Sequence, residues 1–167
     1  MGERGYRGQS EKTLIDRLMV RFAYSRLGGL LFITVFPAID KRLMKLSGGR
    51  VRIAMGQTTL LLHARGAKSG QPRPTPLLYT PHGEDIILVA SKAGAAHNPA
   101  WYHNLIAHPD VEVELDDGSR LAMRAHEAQG EEREELWRIA NDNYLGYQVY
   151  QRRAGARRIP VMVLSPR

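Results

Sequence analysis

Short apolar runs separated by turn residues dominate the chain from residue 58 onward. Val111–Leu115 alternates apolar and acidic residues, so one face of this run is expected to meet water. Asp117–Gly118 predicts a hairpin turn after it, and Pro81–Gly83 predicts another. Runs rich in β-branched and apolar residues predict strands over residues 58–64, 76–80, 85–91, 111–115, 121–128 and 159–165.

Two helices are predicted between these strands. Asn98 is expected to be an N-cap, with Pro99 at the first helical position, and this helix should run to about Ala107. The second should begin near Glu131, where glutamates complement the helix dipole, and continue toward Tyr144. About six short strands without β-α-β alternation predict an α+β barrel of mostly antiparallel strands rather than a doubly wound nucleotide fold.

The first part of the chain has a helical rather than a strand period. Apolar side chains recur with helical spacing over Thr13–Phe36, and a second helix is predicted from Pro37 to about Leu46, before Gly48 and Gly49. We therefore divide the chain into an N-terminal basic helical segment, residues 1–46, and a barrel domain, residues 47–167. The two are expected to form a single globular domain overall.

Net charge divides the chain a few residues further on, after residue 52. Of the formal net charge of +7, all lies in residues 1–52, because the remaining residues carry equal numbers of basic and acidic side chains. This segment could contact a membrane surface, bind nucleic acid or form a solvated helix face. The uncharged apolar run over residues 27–39 is too short to span a bilayer. The absence of cysteine excludes disulfides and thiol nucleophiles.

Two glycine- and lysine-bearing loops are the main candidates for chemistry. Gly66–Gly70 combines Lys68 and Ser69 with freed backbone N–H groups, and Arg73 follows it. These groups suit an anion, although the loop lacks P-loop spacing and could equally be a solvated hairpin turn. Ser91–Gly94 forms a second cationic loop directly after an apolar run.

Aromatic side chains accompany the second loop and recur near the end of the chain. Trp101 and Tyr102 follow the predicted helix start. They could be core residues, or their rings could pack against a cofactor. Tyr144, Tyr147 and Tyr150 are three residues apart, so on a continuous helix they would form one stripe. The stripe could be simple packing or the wall of a pocket. The histidines form no metal pattern and no nucleophile elbow is present, so an enzyme of this sequence would need a cofactor for its reactivity.

Taken together and in order, these motifs resemble the deazaflavin-dependent nitroreductase family of actinobacteria. The resemblance extends over about residues 46–164, and it rests on residues 66–73, 75–77, 90–94, 98–105 and 158–161 together with the tyrosine spacing. It implies a split β-barrel related to flavin-mononucleotide-binding barrels, which binds reduced deazaflavin coenzyme F420. The phosphate and oligoglutamate tail of that cofactor would account for the basic loops.

The resemblance also implies site residues by position. The cofactor-binding positions would be Lys68, Ser69, Arg73, Thr75, Pro76, Ala90, Ser91, Lys92, Asn98, Trp101 and Asn104. The substrate side and catalysis would fall to Tyr144, Tyr147, Tyr150 and Ser91. Family members often have Arg where this chain has Ala67, and the nitroreductase type has Tyr where Leu78 stands. The first difference removes one cationic contact, and the second bears on reduction of bicyclic nitroimidazoles.

The expected activity is hydride transfer from reduced F420 to an electron-poor small molecule such as a quinone, an activated enone or a nitroaromatic. Neither a metal nor a nucleic-acid partner is expected. Location in the cytoplasm is expected, with peripheral membrane contact through residues 1–46 as an option. The alternatives are a split barrel that binds flavin mononucleotide or haem, and a non-enzymatic basic protein bound to membrane surfaces.

Overall fold

Seven antiparallel strands form one sheet in a computed structural model of the protein, which describes residues 58–167. The strands are β1 Thr59–Arg65, β2 Pro72–Leu78, β3 Thr80–His82, β4 Asp85–Val89, β5 Asp110–Glu114, β6 Arg120–Glu127 and β7 Val161–Pro166. The helices are α1 Ala100–Ala107, α2 Gly130–Asn143 and α3 Gly146–Arg153. The two predicted N-terminal helices and the predicted boundary at residues 46 and 47 lie outside the described residues.

The strand order is β2-β1-β5-β6-β7-β4-β3, and the sheet curls into a half barrel. All neighbouring strands within it pair antiparallel. The α+β split-barrel prediction is therefore confirmed. The hairpin at Gly118 is confirmed as well, because this glycine has a φ of +82° and its N–H donates to the Leu115 carbonyl. The β3–β4 turn lies at Gly83, whose φ is +60°, at the end of the predicted segment.

Strands β4 and β7 are buried on both faces. Leu88 and Met162 face one apolar cluster, which also contains residues of β1, β5, β6 and α1. Val89 and Val161 face a second cluster, which α2 and α3 complete. This double burial explains why both strands read as continuous apolar runs. Strand β5 instead alternates, with Glu112 on the outer face bound to Arg120 of β6.

The predicted strand over residues 76–80 is wrong in its extent. Strand β2 begins at Pro72 and ends at Leu78, and residue Thr80 already belongs to β3. Pro72 and Pro76 are tolerated because β2 is an edge strand. The carbonyl of Gln71 accepts a hydrogen bond at the start of β2, and the N–H of Tyr79 donates one at its end. The backbone N–H and C=O groups of the odd-numbered residues in β2 therefore point toward β1. The prolines at even-numbered positions, which have no N–H, therefore face the side of β2 on which residues 58–167 place no further strand.

Helices α1 and α2 lie close to their predicted positions, although α1 begins one residue late. Helix α3 is a separate element, because Tyr144 after α2 leaves the helical conformation with φ −142° and ψ 99°. None of the helices found within residues 58–167 is long and apolar enough to cross a membrane.

Candidate active site

The first candidate site element is the turn between β1 and β2, residues Gly66–Gly70, called here the first loop. The Gly70 N–H donates to the Gly66 carbonyl at 2.8 Å, and Gly70 adopts a φ of +64°. The side chains of Lys68, Ser69 and Arg73 are exposed. Because a turn held by backbone bonds leaves its side chains to solvent, two cations and a hydroxyl are available there for an anionic ligand.

Asn104 of α1 fastens the first loop to the body of the protein. Its side chain is buried, and its Oδ1 accepts a hydrogen bond from the Ala67 N–H at 2.9 Å. Asn104, a predicted cofactor-binding residue, thus uses its amide oxygen to bind the backbone of the first loop. The Ala67 position still has a defined role through its N–H, although it lacks the arginine found in many family members.

The second candidate site element is residues Ala90–Asn98, called here the second loop. Lys92, Ala93 and Gly94 follow one another with φ values of +46°, +52° and +83°. Two of these are not glycine, and each left-handed non-glycine residue costs on the order of 1 kcal/mol. The N–H groups of Gly94 and Ala95 donate to the carbonyls of Ser91 and Lys92, which forms a short 3-10 turn. A loop of this shape needs contacts from outside itself.

Arg157 supplies those contacts, and the sequence reasoning missed it. Its guanidinium Nε donates to the Ala95 carbonyl at 2.8 Å, and Nη2 donates to the Ser91 carbonyl at 2.8 Å. Nη1 donates to the Ala90 carbonyl at 3.1 Å and to the Asn98 Oδ1 at 2.6 Å. Burial lowers the pKa of this guanidinium below its usual value. Residues 152–158 consist of four arginines with Ala and Gly, and nothing in that pattern indicated such a role.

The predicted N-cap at Asn98 is wrong. Pro99 occupies the N-cap position with φ −68° and ψ 157°, and no side chain caps the helix. The Asn98 amide oxygen instead accepts a hydrogen bond from Arg157, 59 positions further along the chain. A long-range charged donor has displaced the local capping interaction.

Tyr144, Tyr147 and Tyr150 form a compact aromatic cluster, although they do not share one continuous helix, because α2 ends before Tyr144 and α3 begins at Gly146. The Tyr144 ring centroid lies 5.0 Å from that of Tyr147 and 6.1 Å from that of Tyr150. The hydroxyl oxygens of Tyr144 and Tyr150 are 3.0 Å apart. A Cβ atom at Gly146 would overlap the Tyr144 ring, so this glycine lets the ring fold back over α3.

The three tyrosines differ in exposure. Tyr147 is buried, and burial together with the neighbouring Tyr150 raises the pKa of its hydroxyl well above the usual value. Tyr144 and Tyr150 are half-buried. Tyr147 is therefore mainly a packing residue, and the paired hydroxyls of Tyr144 and Tyr150 are the polar groups that the cluster can present to a ligand.

The second loop lies directly against α3. A Cβ atom at Gly94 would come within 2.6 Å of the Arg153 Cβ and 2.7 Å of the Tyr150 carbonyl oxygen. Backbone therefore approaches backbone at this point, as only glycine allows. The contact joins the loop that carries Ser91 and Lys92 to the helix that carries two of the three tyrosines.

The remaining predicted positions have mainly supporting roles. Ala90 and Trp101 are buried in the core cluster around β1 and α1. The Lys92 ammonium is exposed and pairs with the His97 Nε2. Thr75 and Pro76 lie on edge strand β2. No group of three His, Asp or Glu side chains within residues 58–167 could hold a metal ion.

The curled antiparallel sheet and its two loops define a split-barrel protein of the cofactor-binding type. Comparisons with known proteins support a narrower assignment. Residues 38–166 match the family described as F420H(2)-dependent quinone reductase. An F420H(2)-dependent quinone reductase of Mycobacterium tuberculosis is 42% identical over 126 residues, which cover 72% of this chain and 83% of the relative.

Two solved structures have folds similar to that of this chain. An F420-H2-dependent reductase, FDR-A, is 38% identical with a TM-score of 0.58, and the match covers 64% of this chain and 93% of that one. A haem-binding protein from Mycobacterium smegmatis has a TM-score of 0.53 at 18% identity, over 69% of this chain and 48% of that one. At that identity the second likeness concerns the fold alone, so it does not favour the haem alternative.

The chain belongs to the F420H(2)-dependent quinone reductase family. It is accordingly an oxidoreductase whose cofactor is coenzyme F420, and the enzyme class and cofactor inferred from the sequence resemblance are confirmed. The alternatives without F420 are not favoured.

Proposed function

We propose that this protein reduces a quinone with reduced F420, with the cofactor held between the first and second loops and the acceptor placed beside the tyrosine cluster. One observation carries the proposal. The second loop packs backbone to backbone against α3 at Gly94 and Tyr150, so a loop suited to a cofactor lies next to side chains suited to an acceptor.

The residues of the first loop fit the anionic part of the cofactor. Lys68 projects into solvent from a turn that is fixed by its own backbone bonds and by Asn104, and Arg73 is exposed nearby on the first residues of β2. An ammonium and a planar guanidinium bind phosphate and carboxylate oxygens without the need for a metal. We assign the phosphate and the oligoglutamate tail to these two side chains, with Ser69 and Thr75 as neutral partners.

The second loop fits the flat, uncharged part of the cofactor. It offers Ser91 and the exposed Lys92, while buried Ala90 and Trp101 support it from the core side. When bound, reduced F420 supplies a hydride for the acceptor. The loop contributes orientation, because hydride transfer depends strongly on the separation and angle of the reacting atoms.

A proton must accompany the hydride, since a quinone that gains one hydride and one proton becomes the hydroquinone. The pair formed by Tyr144 and Tyr150 can donate it. When the Tyr144 O–H donates its hydrogen bond to the Tyr150 oxygen, the Tyr150 O–H remains available for the oxygen that becomes negative on the acceptor. The proton that Tyr150 gives up is replaced through Tyr144 from water. A neutral hydroxyl aimed at developing charge stabilises the transition state more than the ground state.

The basic N-terminal segment suggests where the acceptor is found. Residues 1–52 carry the whole net charge of +7. Anionic membrane surfaces attract basic segments at about 1 kcal/mol per residue close to the surface. We assign this segment to peripheral contact with the cytoplasmic membrane face, where lipid-soluble quinones reside. Co-sedimentation with vesicles rich in anionic lipid, compared with neutral vesicles, tests the assignment: equal recovery with both would contradict it.

The activity is tested by mixing pure protein with reduced F420 and menadione and following the absorbance of the oxidised cofactor. We expect saturable oxidation of the cofactor. Exposed Arg138 of α2 offers a matched control, since Arg138→Ala removes a surface charge that pairs only weakly with Asp142 and should leave the rate unchanged. Oxidation no faster than without protein, together with no binding of F420, would rule the function out.

A further inference from the structure

We propose that Arg157 is a positioning residue for hydride transfer: its guanidinium holds the second loop in its left-handed shape and fixes the distance between that loop and the tyrosine cluster. The inference rests on the proposed function, because it assigns the second loop to the deazaflavin. Arg157 itself is not assigned a contact with cofactor or acceptor.

The geometry of the guanidinium carries the first step. Its four hydrogen bonds go to three backbone carbonyls of the second loop, at Ala90, Ser91 and Ala95, and to the Asn98 side chain at the end of the loop. The acceptors therefore bracket the left-handed residues Lys92–Gly94. A planar fork that binds both sides of a strained turn prevents the turn from relaxing to an extended form.

The backbone of Arg157 is itself held by α3. The Gln151 Nε2 donates to the Arg157 carbonyl at 2.7 Å, and its Oε1 accepts from the Ile159 N–H at 2.9 Å. From α2, buried Arg133 donates to the Ile159 carbonyl at 3.0 Å. The guanidinium is therefore anchored through Gln151 to the helix that carries Tyr147 and Tyr150. Any shift of α3 would therefore move the second loop, and any shift of the second loop would move α3.

The second loop is held by the shape of the Arg157 guanidinium rather than by its charge. All four acceptors are neutral oxygens of the protein, so four of the five N–H groups of the guanidinium are used within the protein. Lysine would preserve the positive charge, but one ammonium cannot reach acceptors spread over Ala90 to Asn98. Arg157→Lys therefore separates positioning from simple electrostatic attraction of an anionic cofactor.

The experiment compares Arg157→Lys and Arg157→Gln with Arg158→Gln, a control that removes a charge one residue away, where an exposed side chain bonds Glu134. Hydrogen exchange is measured first on the cofactor-free proteins, at temperatures where each is folded. We expect exchange at the Gly94 and Ala95 amides to rise about tenfold or more in both Arg157 variants. The control should stay near the wild-type rate.

Binding and turnover are measured next. We expect both Arg157 variants to bind F420 about tenfold more weakly and to show a lower kcat with menadione at saturating cofactor, because the loop and the tyrosines are no longer held in register. Gln151→Met, which retains the guanidinium but removes its anchor, should shift both quantities in the same direction by less. This variant keeps the test valid if Arg157→Gln fails to fold.

Two results would overturn the inference: unchanged amide exchange in the folded Arg157 variants, or wild-type F420 affinity and kcat in Arg157→Lys. The two results depend on the proposed function to different degrees. Failure of the wild-type protein to bind F420 would refute the proposed function, whereas the exchange measurement on cofactor-free protein would still report whether Arg157 holds the loop.

Discussion

The two loops of the site are built in opposite ways. The first loop is a short turn closed by its own backbone bonds and fastened at Ala67 by the neutral side chain of Asn104, and its cations point into solvent. The second loop is strained, and a guanidinium from a distant segment binds it at both ends. Its contact with α3 tolerates no side chain at Gly94.

The difference matches two tasks. An oligoglutamate tail is long and flexible, so point charges on an exposed turn suffice to bind it. Hydride transfer depends on sub-ångström placement, so the loop assigned to the ring system is held by fixed hydrogen bonds and by close packing. On the proposed assignment, the rigid loop is the one that takes part in the chemistry, and the exposed charges serve binding alone.

The largest effect is expected from a methyl group at Gly94. Gly94→Ala should weaken F420 binding about a hundredfold and destabilise the fold by about 2–4 kcal/mol, because the new Cβ would collide with Tyr150 and Arg153. Gly118→Ala is the matched control: its φ of +82° is close to the +83° of Gly94, and a Cβ there has no described atom within 4 Å. It should cost about 1 kcal/mol and leave affinity unchanged. Equal effects of the two changes, by titration and urea unfolding, would refute the close-packing account.

Loss of a tyrosine hydroxyl should have the next largest effect. Tyr144→Phe and Tyr150→Phe should each lower kcat with menadione about tenfold while leaving F420 affinity unaltered, because the pair is assigned to the acceptor. The double variant should be little worse than either single one, since the hydroxyls act as a unit. Steady-state kinetics of the four proteins give the comparison, and strictly multiplicative effects would show that the hydroxyls act independently.

Release of the first loop should have a smaller effect. Asn104→Ala removes the acceptor of the Ala67 N–H, and we expect F420 affinity to fall about threefold, with kcat unchanged, because the cations of the loop remain. Asn143→Ala removes an exposed amide that also makes a long-range hydrogen bond, donated to the Thr80 hydroxyl at 2.9 Å, and should leave affinity as it is. A drop in kcat for Asn104→Ala exceeding that in affinity would contradict the division of tasks.

The smallest effect concerns pH and α1, which begins just after the second loop and contacts the first loop through Asn104. Burial, together with a 2.7 Å hydrogen bond donated to Glu127, raises the pKa of Tyr102 to about 12. The unfolded chain ionises this hydroxyl near its usual pKa of 10 while the folded protein keeps the proton, so stability should fall as pH rises between about 10 and 12. Urea midpoints should decline less over this window for Tyr102→Phe. An identical decline in both proteins would show that Tyr102 is not responsible.

Local patterns predicted much of the fold because the interactions behind them are local. The apolar runs that became β4 and β7, the glutamate-rich start of α2 and the turn at Gly118 all follow from burial, dipole and backbone preferences of neighbouring residues. Strand β2 was misplaced because its prolines read as a loop, and only the sheet order shows that they face an open edge.

The site was predicted less completely because its supports are long-range. Lys68 and Arg73 were proposed from the composition of the loop and its surroundings, and the tyrosines from their spacing. Nothing near Arg157 in sequence indicates that it binds Ala90, and nothing near Asn104 indicates that it binds Ala67. Such contacts depend on how β1, α1 and the segment before β7 are brought together. Asn98 shows the converse, since its expected local cap yielded to a distant guanidinium.

The division of tasks is tested most directly by F420 titrations over a range of salt concentrations for the wild-type protein, Arg73→Ala and Arg157→Lys. Salt screens exposed charges strongly and buried contacts weakly. We predict that Arg73→Ala will bind more weakly at low salt and lose part of the salt dependence, whereas Arg157→Lys will bind about tenfold more weakly at every salt concentration with the wild-type slope. A reduced slope in Arg157→Lys, or an unchanged slope in Arg73→Ala, would contradict the account.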